Sequence, residues 1–274
     1  MSAHVGSVFV VGQGHVAKQT VIYCNDINRT KTEIEKSAGH ISQLFKQEVL
    51  VFHNPTTFAT MTNADLQEKA ANNLMETIET CLPPRARVVL LAHGHGAMVV
   101  RRALEKLAVD SQNTHGNKIH CYTFGGATMV PRLASKVHNY VIDGEAVSKG
   151  VSDEQSHMKA ALEMTKPFRD GTEEPIINLG KALQKVIKKS AKTDKGAAIL
   201  TKYFASCDVF VVKGQAREAS DWSLIKKEVF ADVANNAGKY SMLDYSQIVL
   251  PLIAQAEATM PSQSSSSNDA TAAI

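Results

Sequence analysis

The chain has 274 residues, of which 44% are hydrophobic and 21% charged, and its formal net charge is +3. That is enough apolar material for one large buried core and too little net charge to make a general case for nucleic acid, so a disordered chain and a nucleic-acid binder are both disfavoured. No run approaches the roughly 20 apolar residues needed to cross a bilayer, and Cys24, Cys81, Cys121 and Cys207 lie far apart with no C-x-x-C pair, which argues against a zinc ribbon or a disulfide framework.

The opening M-S-A-H-V-G-S-V-F-V-V-G has no basic n-region and only a short apolar run, so no secretory signal of the usual kind is read there. A cytoplasmic location is the expectation, although export by a specialised system leaves little trace in sequence. Short β-branched runs follow at 8–11, 21–24, 49–52, 88–91, 119–124, 137–142 and 209–212. The first two lie close enough to pair as an antiparallel hairpin, and the later ones are spaced for crossover helices. Between them V-F-V-V-G-Q-G-H-V-A matches a strand followed by G-x-G-x-x-A, but the next strand begins before a helix of ten residues could form. The glycines are therefore read as a turn and not as a dinucleotide fingerprint.

Ile34, Ala38, Ile41 and Phe45 recur at helical spacing, as do Leu66, Ala70, Leu74 and Ile78, and both stretches should cover the sheet. The segment 150–204 lacks a convincing strand and carries the helix pattern Ile176, Leu179, Leu183, Val186 and Ile187, so it reads as a helical cap-like insertion. Within it Lys181, Lys185, Lys188, Lys189, Lys192, Lys195 and Lys202 gather with few acidic neighbours. A run of this kind is normally the solvated face of a helix, and the alternative is a surface for anionic lipid or an acidic partner. With no aromatic residues interleaved, single-stranded nucleic acid is disfavoured there too. Residues 1–260 are expected to form one domain, and 261–274, with four serines in a row, a disordered tail.

The most informative stretch is R-V-V-L-L-A-H-G-H-G-A-M-V-V-R-R-A-L at 87–104, an apolar run that breaks at a small-His-Gly-His-Gly-Ala turn and becomes helix-like. Many doubly wound proteins share a glycine-rich turn after a parallel strand. His93 and His95 form an H-x-H pair at the strand end, but no second spaced motif supplies further ligands, so neither a metal nor any other cofactor is expected.

Taken with C-Y-T-F-G-G-A on the following strand and D-G-E-A-V-S after the next, this turn resembles the lipase-like and esterase-like α/β-hydrolases over roughly residues 20–225. The opening V-I-Y-C-N-D-I-N-R-T and the later F-H-N-P-T-T also look like an uncharacterised group of chlamydial proteins, which brings no known activity. The hydrolase resemblance implies an α/β fold, a mostly parallel central sheet with helices on both faces, and a turn reading G-x-S-x-G that presents a serine nucleophile. Ala92, His93, His95 and Gly96 fit that turn, while Gly94 stands where the serine belongs. Asp143 or Glu145 takes the acid's place, and Trp222, after Asp221, stands where the histidine is expected; no histidine follows His157.

The triad positions Gly94, Glu145 and Trp222 are thus degenerate, and Asn25, His93, His95 and Asp143 remain as candidates to line a pocket. The leading expectation is a catalytically inert hydrolase-like protein that binds a protein or small-molecule ligand, with an anionic membrane surface as a further partner through Lys181, Lys185, Lys188, Lys189 and Lys192. The alternative is an active hydrolase of ester or lipid substrates whose chemistry has moved to Cys24 with His93 or His95, or to a metal at the H-x-H pair.

Overall fold

A computed structural model describes residues 6–13, 19–57, 59–60, 62–82, 87–110, 116–142, 153–189, 195–213 and 242–260. Eight strands form one sheet: β1 (Val8–Val11), β2 (Gln19–Cys24), β3 (Val49–Phe52), β4 (Arg87–His93), β5 (Ile119–Phe124), β6 (Lys136–Ile142), β7 (Ile176–Asn178) and β8 (Val209–Val212). Their spatial order is β1-β3-β2-β4-β5-β6-β8-β7, with the six inner strands parallel and the two outer ones antiparallel. The helices are α1 (Lys31–Phe45), α2 (Ala64–Cys81), α3 (Gly96–Asp110), α4 (Asp153–Asp170), α5 (Leu179–Lys189), α6 (Lys195–Ser206), α7 (Met242–Ile248) and α8 (Leu250–Thr259). This is an α/β-hydrolase-like architecture, a mostly parallel sheet covered by helices.

Parallel strands must be apolar on both faces because helices cover both. In β2, Val21 and Tyr23 join one core cluster while Ile22 and Cys24 join the other. In β4, Val89 and Leu91 face the first, and Val88, Leu90 and Ala92 the second. The first cluster is closed by α1, α7 and α8 through Ile34, Ala38, Ile41, Tyr245, Leu250 and Ile253. The second is closed by α2 and α3 through Ala70, Leu74, Ile78, Val100 and Leu104. Helix α1 starts in a capping box: Thr30 accepts from the Glu33 amide at 3.3 Å, and Glu33 accepts from the Thr30 amide at 2.8 Å.

Two expectations need correction. The strands β1 and β2 do not form a hairpin, because β3 lies between them, antiparallel to β1 with Val8 opposite Phe52. The physical reason is burial: Val21 to Cys24 are fully buried and need neighbours on both sides, whereas β1 exposes Val8 (42%) and Val10 (55%) and can only be an edge. The second correction concerns Ile176, which belongs to β7, paired with Val212, and not to a helix. The helix begins only at Leu179, where the Asn178 side chain accepts from the Lys181 amide at 2.9 Å. Helices α4, α5 and α6 then pack on β6 and β8, with Met158, Leu183, Leu200 and Phe204 against Val141, Val209 and Val211. Lys181, Lys185 and Lys188 are exposed along one stripe of α5, and the Lys185 ammonium lies 4.8 Å from the centre of the Phe168 ring. Lys192 and the expected tail lie outside the described residues.

The C-terminal helices, which the strand pattern gave no reason to expect, are held by a buried carboxylate. Glu257 of α8, with a side chain 0% exposed, meets the starts of three strands: Arg87 of β4 at 3.1 Å, His120 of β5 at 2.8 Å and Lys136 of β6 at 3.9 Å. The Tyr122 hydroxyl donates to the same carboxylate. Burial pushes the Glu257 carboxyl upward, but the hydrogen bonds from His120 and Tyr122 and the charges of His120 and Lys136 outweigh it and hold it below the usual range. Removing one partner of a buried ion pair costs about 3–5 kcal/mol, so Glu257→Ala should lose stability of that order in urea unfolding; a loss below about 1 kcal/mol would show that α8 is held by packing alone.

A second prediction concerns acid. His138 contacts the rings of Tyr122, Tyr140 and Phe210, and burial, assisted by the Lys136 charge, pushes its pKa from 6.5 down to about 4. The unfolded chain therefore takes up this proton first, and the stability this histidine lends is lost as pH falls from about 6.5 towards 4. The carboxylates act lower, since their folded values lie below their unfolded ones. Urea unfolding from pH 7 to 4.5 should show stability declining, and His138→Gln should flatten that slope.

Candidate functional site

The carboxyl ends of β2, β3 and β4 meet at one edge of the sheet, where open α/β sheets place their ligands. At the end of β4 the chain turns at Gly94, whose φ of +54° lies in the left-handed region, and α3 begins two residues later. The turn is fixed by its backbone: the Gly94 amide donates to the Phe124 carbonyl at 3.0 Å, and the Gly94 carbonyl accepts from Ala97 and Ala127 at 3.2 and 3.0 Å. Gly96 lets the helix start sit on the end of β2, since a Cβ there would lie 2.6 Å from the Cys24 carbonyl oxygen and 2.7 Å from that of Asn25.

The residue that decides the chemistry is Asp26, just beyond β2. Its Oδ1 accepts from the His95 amide at 2.8 Å and from the Ile27 amide at 2.8 Å. The first of these amides stands at the start of α3, where the helix dipole favours an anion. A Cβ on Gly94 would lie 2.2 Å from the Asp26 Cγ and Oδ1 and 2.6 Å from its Oδ2. The carboxylate thus fills the space into which any side chain at position 94 would project. Its other oxygen lies 3.8 Å from the Arg29 guanidinium, which also reaches Glu33 at 3.7 Å, and the Asp26 side chain remains 14% exposed.

Behind Asp26 runs a buried chain of amides. The Asn54 amide donates to the Asn25 side-chain oxygen at 2.9 Å, and the Asn54 side chain donates to the Asn25 carbonyl at 3.3 Å. The same Nδ2 lies 3.4 Å from His95 Nδ1, and the Thr56 amide donates to the Asn54 side-chain oxygen at 3.1 Å. With Nδ1 accepting from Asn54, the His95 proton is assigned to Nε2. That Nε2 is buried with no partner among the described residues. Burial lowers the His95 pKa against the opposing effect of the Asp26 charge, so the ring is neutral at pH 7.

Of the residues singled out in the sequence, Asn25, Gly94 and His95 come together here. His93 is also buried, but its ring meets Tyr245 edge-on at 6.3 Å, as part of the packing beneath the turn. Cys24 is fully buried, and burial pushes its thiol well above the ordinary range, which disfavours the thiolate that a Cys24–His pair would use. Among the described residues no three groups of ligating type converge on a metal position. Asp143, Glu145 and Trp222 lie outside the described residues. Sequence reading missed Asp26 and Asn54; the available signal was their place just after β2 and β3, at the ligand-binding edge of a parallel sheet.

No family model matches the chain, and no curated protein does. Solved structures with a distant likeness include a Bacillus megaterium epoxide hydrolase, 12% identical with a TM-score of 0.30, where the match covers 74% of this chain and 64% of that one. The chain therefore spans less than two thirds of that enzyme's length. Others are a Bacillus licheniformis lipase, 10% identical with a TM-score of 0.29 over 59% of this chain and 80% of the other, and a Tuber melanosporum carboxyl esterase, 8% identical with a TM-score of 0.40 over 92% and 85%. Likenesses this distant place no individual residue, and the fold rests on the strand order given above. They give no support to the chlamydial resemblance.

The overlap between positions 94 and 26 can be measured. Gly94→Ala should cost about 2 kcal/mol or more, because an L-residue in the left-handed region costs about 1–2 kcal/mol and the Asp26 carboxylate must also move. In an Asp26→Gly background the same change should cost only the backbone share. Urea unfolding of the four proteins gives the coupling, and additive costs would mean that the carboxylate does not stand over Gly94.

Proposed function

We propose that this chain is a catalytically inert α/β-hydrolase-like protein that acts by binding a partner or small ligand. The observation that carries the reading is the Asp26 carboxylate on the His95 amide, in the space above Gly94. Acyl transfer by a serine enzyme of this architecture needs a nucleophile at the turn, a histidine to take its proton, and the amide following the nucleophile to receive the developing oxyanion. Here position 94 carries no side chain, the amide of residue 95 is already engaged by an anion, and no histidine follows His157. Each loss is severe alone: removing one oxyanion donor costs roughly 10²–10³ in rate, and removing a triad member leaves only the residual acceleration from binding. The relocated thiol is disfavoured by the burial of Cys24.

What remains supports binding. Asn25, Asn54, Asp26 and His95 form a polar, preorganised edge on rigid strand ends, and a position for a ligand there does not require a reaction. The test is hydrolysis of p-nitrophenyl esters from acetate to palmitate by the wild type and by Gly94→Ser. Neither should exceed the uncatalysed rate, since the new hydroxyl would clash with the Asp26 carboxylate and has no triad histidine to take its proton. Turnover by the wild type would overturn the inert reading, and its sensitivity to a thiol reagent or a chelator would identify the chemistry that replaced the serine.

A further inference from the structure

We propose that the outward faces of α5 and α6 form a docking surface for anionic lipid, by which the protein lies on a membrane. The stretch 179–206, which contains both helices, holds seven lysines and a single acidic residue, Asp194. Its net charge is therefore +6 in a chain whose total is +3, so the rest of the molecule is net negative. Charge segregated in this way orients a protein in the field of an anionic surface and brings one face to it.

The fold sets that charge outward. Leu179 and Leu183 of α5 and Leu200 and Phe204 of α6 pack towards β6 and β8, so the opposite sides of both helices point away from the sheet together. On α5 that side carries Lys181, Lys185 and Lys188, which share one stripe at i, i+4 and i+7. On α6 it carries Ile199 and Lys202, one turn apart. The Lys181 charge helps to lower the pKa of Asp208, but that carboxylate is already held by the Arg132 guanidinium at 2.8 and 2.9 Å and does not neutralise the stripe.

Two features favour lipid over an acidic protein. Every cation in 179–206 is a lysine and none is an arginine. A flexible point charge suits a fluid layer of headgroups, whereas carboxylates fixed on a protein are held best by the planar fork of arginine. The second feature is Ile199, which is 57% exposed beside Lys202. An apolar side chain among lysines is what a surface-lying helix places at the boundary between headgroups and acyl chains. No helix among the described residues is long and apolar enough to cross a membrane, so the contact is one of lying on the surface.

The experiment is co-sedimentation of the full chain with sucrose-loaded vesicles, either pure phosphatidylcholine or with one third phosphatidylserine. The chain should pellet only with the anionic vesicles, and weakly in about 0.5 M sodium chloride, where exposed charges are screened. Replacing Lys181, Lys185 and Lys188 together by Gln should lower the partition coefficient on the order of 100-fold, at roughly fivefold per lysine near the surface. The same change at Lys31, Lys36 and Lys69, exposed on α1 and α2, removes equal charge and should alter it little. Ile199→Ser should lower it roughly tenfold and keep its salt dependence. No pelleting with anionic vesicles, equal binding to both kinds, equal loss in both triple variants, or no effect of Ile199→Ser overturns the surface. Retention on immobilised poly-glutamate without binding to anionic vesicles assigns the face to an acidic protein and overturns it too. Should the triple variant not fold, Lys181→Gln with Lys188→Gln spares the Lys185–Phe168 contact and repeats the test. Ester turnover by the wild type would remove the inert reading and leave this one, since neither helix contributes to the Asp26 site.

Discussion

A parallel strand cannot follow its neighbour directly; the chain must cross back over one face of the sheet before it pairs again. That constraint shapes this molecule. Six inner strands run the same way, so their carboxyl ends collect at one edge and their amino ends at the other, and both faces need helices. Residues that follow β2, β3 and β4 are 29 and 69 positions apart in sequence and yet touch: Asn25 with Asn54, Asp26 with His95. Nothing local in any of these segments would bring them together.

Each edge carries a carboxylate, and the two are held in opposite ways. At the amino edge Glu257 is fully buried and surrounded by cationic and hydroxyl groups from three strands, so both of its oxygens are satisfied and α8 is fixed to the sheet. At the carboxyl edge Asp26 is held through one oxygen by neutral amides, while the other lies 3.8 Å from the Arg29 guanidinium. The first arrangement has the redundancy of a structural tie. The second rests on two amides and one distant cation.

The inner strands were legible in the sequence because their β-branched runs are continuous, and α1 and α2 because their apolar residues repeat at helical spacing. Pairing was less legible. The proximity of β1 and β2 suggested a hairpin, and V-F-V-V carries no polar residue to mark β1 as the edge that its alternating exposure in the fold makes it. Gly94 and His95 could be read as site residues from the turn itself. Asp26 could be read only as a residue at the ligand-binding edge, because its contact is an approach across the sheet to an amide 69 residues away. The place of Ile176 was hidden too, since three residues of β7 carry no period that distinguishes them from the helix that follows.

The Asp26 carboxylate occupies the space that a side chain at position 94 would need, and this couples the two positions. A side chain gained at 94 must expel the carboxylate, and a carboxylate lost at 26 leaves two amides to find another acceptor. Each single change therefore leaves either a clash or unpaired amides, so the two positions act as one unit, and a substitution tolerated at either is set by what stands at the other.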